Sequence, residues 1–396
     1  MDCRRHIGQL AKVEMWAVQK RKPGVDELQL TLHVTNQCNL NCNYCFVEHG
    51  PERMPREVAF AAIKLAMMNT DTTGILFYGG EPLLERQLIH DVVDYTKSLR
   101  KKTGHTFYYK ITTNGTLLDE EFLKFAKDAN LTIGFSCDGI AQDDCRKFHD
   151  GAGSLAVIEP KIPLLLKYQP YAIGMSVVDP ATIDKASKII KYLFDKGFKY
   201  LHMGVNYCKT APWSKERFSV LEREYKKIAK MYIKWTRAEE KFYFSSFDMK
   251  ILSHLKSDKY NADRSRMGMN QPSVAPNGKV YSISKHLNNP VFEIGDVFSG
   301  IDAKKHKAIF ERGLILAKPC QKCAIKSRCN YAYDNLNSDG TEIIDDVSAV
   351  QCTHERVITP IADNVAETLY KEQNALFIHK HYNDLYPFMS LVEDGF

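Results

Sequence analysis

Three cysteines on one short loop constrain this chain more than any other feature of its sequence. Cys38, Cys42 and Cys45 are spaced by four and three residues and follow the alternating apolar run 28–34, which is typical of a β-strand. Three thiolates at this spacing can hold a 4Fe-4S cluster whose fourth iron stays open to a small molecule. Half of a zinc site, or three ordinary thiols, are the alternatives that the loop alone leaves open.

Composition narrows the class of protein. The chain has 396 residues and a formal charge of +6 that is spread along it, without the basic cluster typical of nucleic-acid binding. No apolar run approaches the roughly 20 residues of a membrane-spanning helix, and no signal-peptide-like stretch follows the basic start. Eleven cysteines without an export signal favour metal or redox chemistry over disulfides. We therefore expect a cytoplasmic protein that binds neither nucleic acid nor membrane.

Strand and helix patterns alternate from about residue 27 to residue 240. Six runs predict strands, at 28–34, 74–78, 106–112, 131–137, 171–178 and 198–205. This α/β alternation indicates parallel strands, in a barrel or an open doubly wound sheet, with the active site at their carboxyl ends. We predict a short N-terminal segment at 1–26, the α/β domain at 27–240, a second domain at 241–355, and a C-terminal helix and tail at 356–396.

A second group contains four cysteines, Cys320, Cys323, Cys329 and Cys352. Four thiolates can complete a 4Fe-4S cluster with no open iron, which suits electron transfer or a structural role. A four-cysteine zinc site is the alternative that these spacings leave open.

With these motifs the chain resembles the radical S-adenosylmethionine (SAM) enzymes, and among them those with a SPASM-type C-terminal domain. The resemblance rests on the 38–45 loop, with Tyr44 as its aromatic residue, on Gly79-Gly80-Glu81-Pro82 after the next strand, and on Ser136-Cys137-Asp138-Gly139 after the fourth. It implies a partial (β/α)6 barrel of TIM type with a small C-terminal SPASM-type iron-sulfur domain.

The resemblance also implies which residues contact the cofactor. Besides the cysteine ligands, the implied SAM contacts are Tyr44, Gly79, Gly80, Glu81, Pro82, Asn114, Ser136, Asp138 and Arg146. The glycines let the backbone pass close to the ligand, and Glu81 or neighbouring carbonyls can accept from an ammonium. Ordinary roles stay open: a strand-to-helix turn at 79–82, an Asn-Gly turn at 114–115, and a turn-forming Asp138 with Arg146 on a solvated face.

The second cysteine group departs from the SPASM pattern in a concerted way. Related enzymes of the two-cluster form bind two auxiliary clusters, and the ligand positions of one are occupied here by Ser265, Ile283 and Tyr333. The four cysteines of the other are present, and 274–281 resembles the hairpin of the pattern. The resemblance therefore implies two 4Fe-4S clusters in all, one that binds SAM and one auxiliary.

Family resemblance also implies the chemistry, which is reductive cleavage of SAM and hydrogen abstraction by the 5'-deoxyadenosyl radical. Because SPASM relatives mostly modify ribosomally synthesised peptides, we expect a peptide to be cross-linked through a carbon-carbon or thioether bond. The alternatives are oxidation of a sulfatase serine or cysteine to formylglycine, which the missing cluster disfavours, peptide epimerisation, and a non-catalytic metal-binding or electron-transfer protein.

Three partners are expected. They are a precursor peptide, an electron donor such as a flavodoxin or ferredoxin, and a separate leader-binding protein, since only 37 residues precede Cys38. No catalytic base can be assigned from the sequence. The candidates near strand ends that face the expected pocket are Cys137, Cys208, His202 and Tyr207. Packing in the core is the ordinary alternative for each, and Cys3 and Cys145 are expected to be inert.

Overall fold

The computed structural model describes residues 28–208, 211–255, 270–313, 316–329 and 348–382. The predicted segment 1–26 and the positions Cys3, Ser265 and Tyr333 lie outside these ranges. The strands are β1 (Leu28–Thr35), β2 (Leu40–Cys42), β3 (Thr72–Gly79), β4 (Thr106–Thr113), β5 (Leu131–Ser136), β6 (Arg146–Phe148), β7 (Ile173–Val178), β8 (Tyr200–Val205), β9 (Tyr243–Phe244), β10 (Ser273–Val274), β11 (Lys279–Tyr281), β12 (Glu293–Asp296) and β13 (Gly300–Ile301).

Helices separate these strands over most of the described chain. They are α1 (Arg56–Ala66), α2 (Arg86–Thr103), α3 (Glu120–Asp128), α4 (Gln142–Cys145), α5 (Leu155–Ile158), α6 (Ile162–Tyr168), α7 (Ala186–Asp195), α8 (Lys215–Arg237), α9 (Ser245–Leu255), α10 (Ala303–Gly313), α11 (Lys318–Gln321), α12 (Ala349–Lys371) and α13 (Ala375–Tyr382). A 3-10 turn that contains Pro160 separates α5 from α6, because proline lacks the amide hydrogen that a continuous helix needs.

Six parallel strands form the centre of the fold. The large sheet has the order β13-β12-β11-β10-β1-β3-β4-β5-β7-β8-β9, and every neighbouring pair from β1 to β8 is parallel. Leu30 pairs with Ile75, and Ile75 pairs with Tyr109. Since parallel neighbours need crossover connections, helices lie between most of these strands. The predicted α/β fold with a partial six-stranded barrel is confirmed.

The sheet extends further than the six predicted strands. β9 pairs in parallel with β8, and β10 pairs in parallel with the outer edge of β1. β10 and β11 form the predicted hairpin within 274–281. Strands of only two or three residues carry too little alternation to be recognised in a sequence. These short strands belong to the same sheet as the strands before residue 240. The division into four domains stays a prediction.

Alternation along the strands places a hydrophobic core outside the barrel and polar groups inside it. Leu32 and Phe77 are fully buried against the helices. The residues beside them in sequence face the interior, where His33 pairs with Tyr78 across β1 and β3. Among the described residues, none of the helices is long and apolar enough to cross a membrane.

Candidate active site

The loop with the first three cysteines begins at the carboxyl end of β1. Its β2 strand pairs antiparallel with β6, which sets Cys42 opposite Arg146. The amide of Leu40 donates to Sγ of Cys38 at 3.5 Å. Burial raises the pKa of Cys38 to about 12, and Cys42 and Cys45 add to this rise because their thiols are close enough to repel a thiolate. The three predicted iron ligands therefore share one partly enclosed site.

A buried arginine supplies positive charge to this site. Arg146 is 7% exposed, and its Nε donates to Oδ2 of Asp138 at 2.9 Å. Burial raises the pKa of Cys42, whereas the Arg146 guanidinium lowers it by stabilising the thiolate. The same guanidinium lies 5.2 Å from the centre of the Tyr44 ring. A solvated face for Arg146, the ordinary alternative, is therefore wrong.

Asp138 organises the arginine and the aromatic residue of the loop. Besides Arg146, its carboxylate accepts from the phenol of Tyr44 and from the amide of Val177, the latter at 2.9 Å. Asp138 is fully buried, so its oxygens serve contacts within the protein. A direct contact of Tyr44, Asp138 or Arg146 with SAM stays a prediction.

The two glycines of the 79–82 turn permit a close approach between chain segments. Gly79 has a φ of +135°, and a Cβ there would lie 2.2 Å from the carbonyl oxygen of Thr35. A Cβ on Gly80 would lie 2.1 Å from the carbonyl oxygen of Gln37, the residue before Cys38. The end of β3 is thus packed directly against the backbone that leads into the cysteine loop.

Glu81 holds the loops around the site together. Its carboxylate accepts from the amide of Leu83 at 3.0 Å, the hydroxyl of Thr113 at 2.6 Å and the amide of Asn114 at 2.7 Å. Burial raises the pKa of Glu81 to about 7, against the effect of these three hydrogen bonds. A contact of Glu81 or of neighbouring carbonyls with an ammonium stays a prediction. Pro82 begins a buried 3-10 turn, as its predicted position near a helix start requires.

Asn114 orients the cysteine loop from the end of β4. Its Nδ2 donates to Oδ1 of Asn39 at 2.8 Å and lies 3.9 Å from Sγ of Cys38. Its Oδ1 accepts from the amide of Thr116 at 3.0 Å. Ser136 ends β5 and is 9% exposed. The implied SAM contacts are thus gathered at the carboxyl ends of β1, β3, β4 and β5, while contact with SAM itself stays a prediction for all nine.

The four catalytic candidates separate in the structure. Cys137 does not face the barrel interior: its side chain is fully buried in the hydrophobic core, and burial raises its pKa to about 12. Its predicted position at the pocket is wrong. Cys208 is half-buried. Its thiol is near enough to Cys45 to add to the rise that burial causes in the pKa of Cys45.

His202 and Tyr207 take part in hydrogen bonds at and beyond β8. Nδ1 of His202 lies 2.9 Å from the hydroxyl of Ser245. Burial and the nearby Lys110 ammonium lower the pKa of His202 to about 4, so its imidazole is neutral at pH 7. The Tyr207 phenol lies 2.7 Å from Nδ1 of His354. A catalytic role for either residue stays a prediction.

The second cysteine group gathers around the start of α12. Burial raises the pKa of Cys320, and Cys323 and Cys352 add to this rise. The Arg356 guanidinium has its pKa raised by the Cys352 and Cys323 thiols, to which it hydrogen-bonds. Three of the four predicted ligands therefore lie close together with a cation beside them. An all-thiolate donor set of this kind fits a 4Fe-4S cluster.

One partly buried and one fully buried ion pair fix the loop that carries the fourth ligand, Cys329. The neighbouring Arg328 makes two contacts with Asp363, at 2.5 and 2.8 Å. Lys250 donates to the carbonyl of Arg328 at 3.0 Å and to Glu355 at 2.6 Å.

The part of the chain that the structure describes contains no set of three His, Cys, Asp or Glu side chains placed to hold a single metal ion.

Sequence reasoning missed Arg356, Lys250 and His354. Arg356 follows Cys352 by four residues on a helix, a spacing that places two side chains on one face and could have identified it. Lys250 and His354 carry no such signal, because their partners lie more than a hundred residues away in sequence.

Comparisons with known proteins agree with this geometry. Residues 32–206 match the family model described as the radical SAM superfamily. The cysteine-type anaerobic sulfatase-maturating enzyme of Clostridium novyi is 29% identical over 181 residues, which are 42% of this chain and 48% of that protein. The chain thus spans about half the length of this curated relative.

Two solved structures share the fold over most of the chain. One is described as native anSMEcpe with bound AdoMet and Cp18Cys peptide, with a TM-score of 0.74 at 20% identity over 87% of this chain and 99% of that chain. The other is Streptococcus suis SuiB bound to precursor peptide SuiA, with a TM-score of 0.56 at 14% identity over 87% of this chain and 80% of that chain. The shared fold extends beyond residue 206 into the C-terminal region.

Proposed function

Because residues 32–206 match the radical SAM superfamily, we propose that the chain cleaves SAM reductively and uses the 5'-deoxyadenosyl radical to modify a ribosomally synthesised peptide. The observation that carries this proposal is the three-thiol site on the loop after β1, held against the glycine turn at the end of β3. A bound cluster supplies an open iron and one electron to the sulfonium of SAM.

The residues around the first site have separate tasks in this proposal. Arg146 places a buried positive charge beside Cys42, which favours the thiolate form that binds iron. Asn114 fixes the loop at Asn39, and the glycines bring the backbone close to the position of the ligand. The barrel surrounds the reacting atoms and excludes water.

A peptide substrate is supported by the two structures of similar fold, whose descriptions both name a bound peptide. For this chain we favour a carbon-carbon or thioether cross-link, in which the peptide loses one pair of hydrogens. Cys320, Cys323 and Cys352 lie together with Arg356 beside them. With Cys329 they would hold an auxiliary 4Fe-4S cluster, which would accept an electron during such an oxidation.

Oxidation of a sulfatase serine or cysteine to formylglycine is the second candidate, because similar proteins carry the name of sulfatase-maturating enzymes. The substituted ligand positions Ser265, Ile283 and Tyr333 argue against it. Mass spectrometry of treated peptides distinguishes the products. A cross-link lowers the peptide mass by two hydrogens taken from the two residues that become linked. Formation of formylglycine changes the mass of one residue alone. Epimerisation leaves the elemental composition unchanged, and in heavy water it introduces deuterium.

The partners of this reaction in the cytoplasm would be a flavodoxin or ferredoxin and a separate leader-binding protein.

Anoxic reconstitution tests the proposal. We expect about eight irons per chain, and release of 5'-deoxyadenosine when dithionite and SAM are added. Cys45→Ala should abolish the release, and Cys352→Ala should lower iron to about four per chain without abolishing SAM cleavage. Cys145→Ala is the matched control, since this buried cysteine belongs to neither group. About two zincs per chain and no cleavage would contradict the proposal.

A further inference from the structure

Two exposed histidines contact the first cysteine loop. Nε2 of His49 lies 3.6 Å from Sγ of Cys45, and Nε2 of His149 lies 2.9 Å from the carbonyl oxygen of Cys38. A cysteine sulfur that binds iron carries no hydrogen, so it can only accept, as a carbonyl oxygen does. Both imidazoles therefore donate through Nε2, one to a ligand sulfur and the other to the backbone of a ligand. His49 and His149 are called the outer histidines below.

The backbone beside His49 is fixed to the end of β1. The amide of Gly50 donates to the carbonyl of Asn36 at 3.2 Å. The carbonyl of Glu52 accepts from the amide of Asn36 at 3.0 Å and from the hydroxyl of Thr35 at 2.9 Å. Since the same end of β1 leads into the cysteine loop, His49 and the loop share one rigid base.

The three ligand sulfurs differ in the donors around them. Sγ of Cys38 accepts from a backbone amide of its own loop, and Cys42 lies opposite the buried Arg146. Cys45 is exposed, whereas Cys38 and Cys42 are half-buried, and its sulfur contacts the exposed His49. A substitution of His49 thus removes a donor to one sulfur and leaves Arg146 with its buried partner in place.

A donor to a ligand sulfur changes how easily a cluster accepts an electron. The reduced cluster carries one more negative charge than the oxidised cluster, and part of that charge lies on the ligand sulfurs. A hydrogen bond to such a sulfur stabilises the reduced form more than the oxidised form, and so it raises the reduction potential.

We propose that His49 raises the reduction potential of the cluster held by Cys38, Cys42 and Cys45 by donating a hydrogen bond from Nε2 to Sγ of Cys45. The inference rests on the proposed function, since it requires that cluster. Reduction transfers one electron to the cluster from a flavodoxin, a ferredoxin or dithionite, and the imidazole keeps its proton. His49 acts through Cys45, so it is a positioning residue. Its hydrogen bond helps to decide how strong a reductant must be to start SAM cleavage.

A redox titration followed by EPR tests the role of His49. The full-length Cys352→Ala protein is the parent, because only the first cluster then contributes to the signal. In His49→Phe the equilibrium constant for reduction should fall about threefold to tenfold, which makes the midpoint potential about 30 to 60 mV more negative. Iron should stay at about four per chain, since all three ligands are retained.

Two further variants separate a sulfur donor from a merely structural contact. His49→Gln places an amide nitrogen where Nε2 of the imidazole lies, so it should restore most of the wild-type potential. His149→Phe is the matched control, because it removes an exposed imidazole that donates to the carbonyl of Cys38 and to no sulfur. Its potential should equal that of the parent.

Three results would overturn the role of His49. The first is a potential in His49→Phe equal to that of the parent. The second is a potential in His49→Gln as low as in His49→Phe. The third is an equal fall in His149→Phe, which would mean that any disturbance of the loop has this effect.

The response to SAM separates this inference from the proposed function. A parent signal that changes when SAM is added, together with an unchanged potential in His49→Phe, removes the role of His49 and leaves the SAM-binding cluster in place. A parent protein with no cluster signal removes the proposed function, and the role of His49 with it.

Discussion

At the scale of single residues, the candidate site depends on backbone atoms that approach each other too closely for side chains. Gly80 illustrates this best, because its φ lies outside the left-handed region and a Cβ would collide with the carbonyl group of Gln37. Gln37 directly precedes the ligand Cys38, so any movement of this carbonyl reaches the cysteine loop. The sequence suggests that this glycine is needed for a turn, whereas in the structure it is needed because no side chain fits.

Gly80→Ala should therefore disturb the first cluster site more than the strand that leads to it. The new methyl group would lie 2.1 Å from the Gln37 carbonyl oxygen, so the loop at Cys38 must shift. We expect a loss of about 2 kcal/mol or more in stability and a lower iron content after reconstitution. Thermal unfolding and iron analysis check this.

Gly74→Ala in the same strand is the control. A Cβ at Gly74 would lie 3.8 Å from Cγ of Gln29, which is an ordinary contact distance. Iron content should stay at the wild-type level. If both alanine variants retained full iron, the close approach at Gly80 would not support the cluster site.

At the scale of secondary-structure elements, buried ion pairs join helices α9, α12 and α13. Lys250 and Glu355 are 2% and 1% exposed and connect α9 to α12 beside the loop of Cys329. Asp248, also in α9, contacts Lys380 at 2.6 Å and His381 at 3.2 Å in α13. Removing one partner of a buried ion pair lowers the stability of the folded protein, because the other charge stays buried without compensation.

Lys250→Met should destabilise the protein by about 3 kcal/mol, because Glu355 is left buried without its cation. The double variant Lys250→Met with Glu355→Met should recover most of this loss, since it removes the uncompensated charge. Lys226→Met is the exposed control, whose partner Glu222 also faces solvent. Melting temperatures of the four proteins measure the effect. A double variant less stable than the single one would contradict it.

Acid should weaken the contact between α9 and α13. Burial alone would raise the pKa of Asp248, but Lys380 and His381 lower it to about 2. The phenol of Tyr232 also donates to this carboxylate at 2.6 Å. An unfolded aspartate has a pKa of about 3.9, so the ionised group adds about 2 kcal/mol of stability above that pH. This contribution is lost as the pH falls from about 4 towards 2.

Melting curves at several pH values check this sign. The melting temperature of the wild type should fall more steeply between about pH 4 and pH 2 than that of Asp248→Asn, which has no carboxylate to protonate. Parallel pH profiles of the two proteins would mean that Asp248 does not titrate in this range.

At the scale of the whole molecule, features that depend on local sequence patterns could be predicted, whereas contacts between residues distant in sequence could not. The cysteine loop and the six strands are visible in the sequence because both depend on short spacings. Cys137 was misplaced although strand alternation gives its direction, since it follows Ser136 and so faces the opposite side of the sheet. The contact between Tyr207 and His354 joins residues 147 positions apart, and no local pattern encodes it.

We propose that a cluster held by Cys38, Cys42 and Cys45 would have an open iron that binds SAM. EPR spectroscopy of the anoxic, dithionite-reduced Cys352→Ala protein, with and without SAM, tests it most directly because only the first cluster then contributes. We predict a 4Fe-4S signal that changes shape when SAM is added. A signal that SAM leaves unaltered, or no signal in protein that retains about four irons per chain, would contradict the claim.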